Sequence, residues 1–245
     1  MRTEEYLKLA AVEDRMWYFR ALHRHLAREV GRALPTGRGV ALDAGCGTGG
    51  FILSVRHRWP GIGWTGLDFA PLACELARER TGGPIVEGSV CALPFADASF
   101  DVVTSADVLY QIERPIEALM EMRRVLRPGG RLVINVPALS WLWSYHDDSV
   151  QSKHRFHRAQ LITLLREAGL TPLYATYRNF VVFPLVVVKR KLLPRSDGES
   201  DVRPYGPVLE RCFDALMALE HGWMSRRWRL PIGSSVFAVA ERPRD

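Results

Sequence analysis

Leu42-Asp43-Ala44-Gly45-Cys46-Gly47-Thr48-Gly49-Gly50 decides the reading of this chain, because it joins the apolar run Val40-Ala41-Leu42 to a helical stretch that starts at Phe51. A strand that passes through a glycine-rich turn into a helix suits a ligand lying over the turn, since glycines let the backbone approach it with no Cβ in the way. Gly45, Gly47 and Gly50 satisfy the G-x-G-x-x-G spacing of dinucleotide sites. Asp43 argues against a dinucleotide. A pyrophosphate over this turn would meet a carboxylate at short range, whereas an ammonium group there would be attracted. S-adenosylmethionine carries that ammonium and a sulfonium, and no phosphate. Asp68 stands 23 residues after Gly45, where a carboxylate accepts both hydrogen bonds of a ribose diol; this feature fits either ligand.

Upstream of the turn, Tyr6, Leu9, Ala10, Met16, Trp17, Phe19, Leu22, Leu26 and Val30 recur at three- and four-residue steps. That spacing predicts one helical segment over about 3–32, closed by Pro35 and Gly37. Downstream, strands predicted at 62–67, 84–86, 100–105 and 131–136 alternate with helices at 71–80 and 115–126. The alternation implies an α/β fold with a doubly wound, mostly parallel sheet and right-handed crossovers. The rhythm breaks after Pro137. A helix over 158–168 ends at Gly169, and strands are expected at 171–177 and 234–241, seven in all. Between them, 178–232 is long enough to carry its own structure. Two helices are expected there, 181–193 and 208–224, joined by a polar loop over 194–207. The chain thus divides, within one domain over 1–245, into a helical lid (1–35), a core (36–177), a helical insertion acting as cap or dimer face (178–232) and the last strand (233–245).

Composition narrows the function. The chain has 245 residues, 47% hydrophobic and 24% charged, enough to bury a sizeable core. No apolar run approaches the roughly 20 residues of a membrane span. The longest candidate, 180–188, is interrupted by Pro184 and ends in Lys189-Arg190-Lys191. The acidic residues of MRTEEYLKLA do not suit a secretory signal. Cys46, Cys74, Cys91 and Cys212 show no regular spacing and are expected as reduced thiols. A cytoplasmic protein is the expectation, with no metal. Residues 1–140 carry 17 basic against 16 acidic residues, and 141–245 carry 16 against 11. The basic residues are scattered rather than striped, which argues against a nucleic-acid partner.

The segments LDAGCGTGG (42–50), GLDFAP (66–71), EGSVCALPFADASFDVV (87–103) and RRVLRPGGRLVINVP (123–137) resemble the class I S-adenosylmethionine-dependent methyltransferases of the type 11 group, in order and in spacing. The resemblance covers roughly 38–140 and implies a Rossmann-like methyltransferase fold with S-adenosylmethionine as cofactor and S-adenosylhomocysteine as product. It implies that Asp43, Gly45, Cys46 and Gly47 hold the methionine part, Asp68 the ribose and Phe69 the adenine face. Ser89, Val90 and Cys91 would meet the adenine edge, and Ala106 would lie near the sulfonium. Ser89 stands where relatives carry an aspartate, and Tyr110-Gln111 where many carry a histidine pair. The Trp17-Tyr18-Phe19 cluster either closes over the cofactor, with Tyr18 on it and Arg20 facing its carboxylate, or packs on the core.

Transfer from a sulfonium is an in-line displacement that needs alignment more than a covalent intermediate. An oxygen acceptor also loses a proton, and a histidine near neutral pKa is a natural base. The candidates are His146, Asp147, His154 and His157, with His154 preferred and Asp147 orienting or assisting it; a carboxylate or free amine acceptor needs no base. Tyr110, Trp141, Trp143, Tyr145 and Phe156 suggest an aromatic acceptor pocket. The expected reaction is methylation of an oxygen on a small natural-product-like or lipid-like acceptor, acidic in one reading. N- or C-methylation and a non-catalytic, cofactor-binding role are the alternatives. The 180–193 stretch is expected as a cap helix or homodimer face ahead of a membrane contact.

Overall fold

The computed structural model describes residues 3–192 and 205–244. Most of the proposed 194–207 loop therefore lies outside the described residues. In chain order the elements are α1 (Thr3–Val12), α2 (Trp17–Ala33), β1 (Arg38–Ala44), α3 (Gly50–Arg56), β2 (Gly61–Asp68), α4 (Pro71–Thr81), β3 (Ile85–Glu87) and β4 (Phe100–Ala106). There follow α5 (Pro115–Val125), β5 (Leu126–Pro137), α6 (Tyr145–Ser149), α7 (Arg158–Glu167), β6 (Thr171–Arg178), α8 (Phe183–Val187), α9 (Pro207–Ser225) and β7 (Ser235–Glu241).

Seven strands form one sheet in the order β3-β2-β1-β4-β5-β7-β6. The first five are parallel, and β7 runs antiparallel to both neighbours. The central strands carry near-continuous apolar runs, such as Val102-Val103 and Leu132-Val133-Ile134, all but excluded from solvent. Strands covered by helices on both faces have that pattern. Strand order reverses between β1 and β4, and in open parallel sheets ligands bind outside the carboxyl ends of the strands at such a point. The glycine turn follows β1 directly and so stands there.

Two departures from the sequence reading shape the site. The expected single N-terminal helix is two, because the chain turns over 13–16 and buries Glu13. Glu13 takes hydrogen bonds from the Thr48 hydroxyl and from Arg80, whose other arm donates to Asp14 at 2.8 Å. These bonds pin the end of α1 onto the glycine turn. The insertion holds two helices, as expected. The first is short, α8 running on into a single wide turn over Val188–Leu192, while α9 packs along α2.

Gly45 has φ +84°, and a Cβ there would overlap Val108 Cγ2. Gly45→Ala should therefore cost about 2 kcal/mol through left-handed backbone strain and the displaced valine. A thermal midpoint lower by about 4–8 °C in calorimetry is the expected result.

Candidate active site

The carboxyl ends of β1, β2, β4 and β5 open into a cleft of about 730 Å3, roofed by α1 and α2 and closed on one side by α8. Its two halves differ in charge. Towards β1 and β2 the lining charges are Glu5, Glu13, Asp43 and Asp68, whereas Lys153, Arg155, Lys189 and Arg190 line the other half together with Asp107 and Asp147.

Asp43 is buried at the end of β1 and accepts the Thr104 hydroxyl at 2.6 Å. Burial pushes its carboxyl up to about 7, against the pull of the Thr104 bond. Asp68, at the end of β2, accepts the Gly47 N–H at 2.8 Å and the Ala70 N–H at 3.0 Å, with the Tyr6 hydroxyl at 3.5 Å. It thereby ties the glycine turn, the start of α4 and the α1 lid to one carboxylate. A Cβ on Gly47 would meet Leu9 Cδ2 at 3.5 Å, inside the cleft. Phe69 lies on the cleft wall with 78% of its surface exposed, and Ser89 and Val90 line the wall beside it.

The acidic half fits S-adenosylmethionine and rejects a dinucleotide. Four carboxylates would face a pyrophosphate, and no basic side chain stands among the described residues lining that half. A sulfonium and an ammonium are suited by the same field. Phe69 gives an exposed flat apolar face on which an adenine can stack.

The family model of the methyltransferase domain, type 11, matches residues 42–134. The O-methyltransferase resE of Aspergillus sclerotiorum is 32% identical over 71% of this chain and 71% of its own length. This chain belongs to the S-adenosylmethionine-dependent methyltransferases. The demethylmenaquinone methyltransferase of Deinococcus radiodurans is 37% identical over 49% of each chain, so the match spans about half of that relative's length. A SAM-dependent methyltransferase of Thermotoga maritima shares the fold, with a TM-score of 0.61 and 21% identity over 98% of this chain and 95% of its own.

In this methyltransferase Gly45, Cys46, Gly47, Ala106 and Tyr18 also line the cleft. Cys91 does not; its N–H is turned to Ser89 Oγ at 3.1 Å. Arg20, expected to face the cofactor carboxylate, does not line the cleft. It is drawn to Asp214 and Glu210 on α9, a carboxylate pair on the neighbouring helix that outcompetes a cleft already rich in acid.

The acceptor-side expectations fare less well. His154 lies outside the cleft, its Nε2 3.2 Å from the Glu113 carbonyl. Asp147 reaches the cleft wall but is held by Arg155, which donates Nε–H to Oδ1 at 2.7 Å and an Nη2–H to Oδ2 at 3.1 Å. It also caps α6 by accepting the Ser144 N–H. Asp147 is thus the partner of Arg155 and not of His154. His146 does line the cleft. Of the five expected pocket aromatics only Tyr110 lines it. Phe156 is core, Trp143 donates to Asp148 at 2.9 Å, Trp141 stacks edge-on with Phe183, and Tyr145 begins α6. The aromatic walls come instead from Trp17, Phe19, Tyr205 and Phe51, supplied by the lid, α3 and the insertion.

One functional group escaped the sequence reading. Asp107 follows β4 with φ +54°, a left-handed backbone that aspartate tolerates. It lines the cleft and accepts the Tyr18 hydroxyl at 2.7 Å and an Asn135 amide hydrogen at 2.8 Å. Burial raises its carboxyl and pushes the Tyr18 hydroxyl up to about 12. The Arg178 guanidinium sits 4.6 Å over the Tyr18 ring. The available signal was an acidic residue, Asp107, immediately after the fourth strand.

Proposed function

We propose that this methyltransferase moves a methyl group from S-adenosylmethionine to an oxygen of a small, lipid-like or natural-product-like acceptor with acidic character. The observation that carries the reading is the division of one cleft into an acidic half and an aromatic half rimmed by cations. The similarity to an O-methyltransferase supports oxygen as the accepting atom. Bound cofactor supplies an electrophilic methyl on a sulfonium that leaves as a neutral thioether. Asp43 holds the ammonium, Asp68 the ribose diol and Phe69 the adenine face, while the Val90 backbone and Ser89 meet the adenine edge. Tyr110 and Trp17 form walls for the acceptor. An acceptor hydroxyl donates to Tyr18 Oη and Tyr18 passes its own proton to Asp107 Oδ2, a carboxylate that burial has made more basic. His146, which also lines the cleft, is the alternative proton acceptor. Incubation with methyl-labelled cofactor and hydroxylated lipid and aromatic acceptors tests the proposal. Label on oxygen, read by mass spectrometry of the products, is expected; label on nitrogen or carbon alone contradicts it.

Asp43 makes a second prediction. Its folded pKa, about 7, lies above the unfolded aspartate value, so the free protein holds an extra proton between about 4 and about 7 and loses stability as pH rises through that window. A bound ammonium favours the ionised form. S-adenosylhomocysteine affinity should thus rise about tenfold between pH 6 and 8 and level off above, with protons released on binding below neutrality. Calorimetry in buffers of different ionisation enthalpy reads both effects, and Asp43→Asn should remove the slope.

A further inference from the structure

Arg178, the last residue of β6, is completely buried, and neither Nε nor Nη1 nor Nη2 has a hydrogen-bond partner among the described residues. A guanidinium ordinarily holds structure through its fork of donors, and buried donors left unmade cost free energy. Here the fork binds no described group, so the charge and the flat face are what remain to act. The face has a definite partner: the guanidinium carbon lies 4.6 Å from the centre of the Tyr18 ring. The backbone fixes it there. Arg178 pairs with Ser235 across β6 and β7, and the chain at Gly233 runs so close that a Cβ there would overlap the Arg178 carbonyl. The charges around it are few. Burial pushes the imidazoles of His23 and His25 on α2 down, and Arg178 pushes the same way, so neither adds a cation. Burial raises the carboxyls of Glu220 on α9 and Asp107 after β4, and Arg178 pulls both back. Arg155 is the other cation acting on Asp107, and it is engaged by Asp147.

We propose that Arg178 is a positioning residue of the proton relay, its cation stabilising negative charge on the Tyr18 ring while the Tyr18 proton moves to Asp107. The inference rests on the proposed role of Tyr18 and Asp107 in taking the acceptor's proton. In that step the Tyr18 O–H bond breaks and an O–H bond forms on Asp107 Oδ2, 2.7 Å away. The electron pair stays on the phenolate until the acceptor hydroxyl supplies its own proton. Burial and the Asp107 carboxylate both hold the proton on Tyr18; Arg178 opposes them, helped by the Ser235 hydroxyl. A cation over an aromatic face acts more strongly in a buried site than in water. Arg178 does not line the cleft, so it acts through Tyr18 and not on the acceptor.

Tyr18 is replaced in the full chain by difluorotyrosine, whose more acidic phenol titrates at lower pH, and its ionisation is followed by fluorine NMR. Arg178→Met, which keeps the length and loses the charge, should raise the titration midpoint by about one pH unit or more, about tenfold in proton affinity. Arg178→Lys, which keeps the charge, should leave the midpoint close to that of the parent. If Arg178→Met does not fold, Arg178→Gln is read in its place. Unaltered S-adenosylhomocysteine affinity shows that the cofactor half of each variant is intact. The proposal is overturned if the uncharged variant titrates at the parent midpoint, or if Arg178→Lys moves it as far as Arg178→Met does. The titration needs no acceptor. A failure to label oxygen would therefore sink the proposed reaction and leave the charge effect standing, and an unmoved midpoint would do the reverse.

Discussion

Asp68→Ala should lower the affinity for S-adenosylhomocysteine by about 1,000-fold. Two hydrogen bonds from a ribose diol to a carboxylate are charge-assisted, and such bonds contribute about 1.5–3 kcal/mol each, which converts to a loss of that order. The same carboxylate accepts the Gly47 and Ala70 N–H groups, so the substitution also unties the glycine turn from the start of α4. Asp68→Asn separates the two effects. An amide oxygen still accepts one backbone N–H and one diol hydroxyl, without the charge, and an intermediate loss is expected. Calorimetric titration at constant pH reads all three proteins. Equal affinity for wild type and Asp68→Ala would show that the ribose lies elsewhere.

Arg155→Met should destabilise the fold by about 3 kcal/mol, the lower end of the range for breaking a buried ion pair from one side. Arg155 is buried, binds both Asp147 oxygens and donates to the Ala138 carbonyl at 2.7 Å. Methionine leaves Asp147 with the α6 cap and with Arg190 at 3.8 Å, which softens the loss. A thermal midpoint lower by about 6–12 °C is expected. The double change Arg155→Met with Asp147→Leu removes both charges and should recover most of it, because what costs is a buried charge without its partner. An unchanged midpoint in the single variant would mean that the pair contributes nothing.

The sheet was legible because the parallel strands carry short apolar runs, Val40-Ala41-Leu42, Val102-Val103 and Leu132-Val133-Ile134, at a regular alternation with helical stretches, and because Gly49-Gly50, Pro71 and Pro115 mark helix starts. That Asp43, Gly47, Asp68 and Phe69 share one wall of the cleft was legible for a related reason: they stand in the βα turns at the carboxyl ends of adjacent strands. Asp43, Gly47, Asp68 and Phe69 need no long-range information. The acceptor half was not, because its walls come from α1, α2 and the insertion, brought together only by tertiary packing. Trp141, Trp143, Tyr145 and Phe156 share a stretch of sequence with His146 and Asp147, yet each answers to a different neighbour, and composition does not record which way a side chain turns. His154 suffered the same fate. Arg20 was misplaced because its partners Glu210 and Asp214 lie 190 residues or more away. The helix break over 13–16 was hidden because Leu9, Met16 and Phe19 keep a helical spacing across it, and only the buried Glu13–Thr48–Arg80 contact shows the turn.

In the proposed reaction the acidic half of the cleft holds S-adenosylmethionine with its ribose on Asp68. Native mass spectrometry of the full chain titrated with S-adenosylhomocysteine tests it most directly. A single added mass of one S-adenosylhomocysteine is expected, saturating at one per chain and lost in Asp68→Ala. Wild-type protein that gains no such mass, or that gains it equally in the variant, would contradict it.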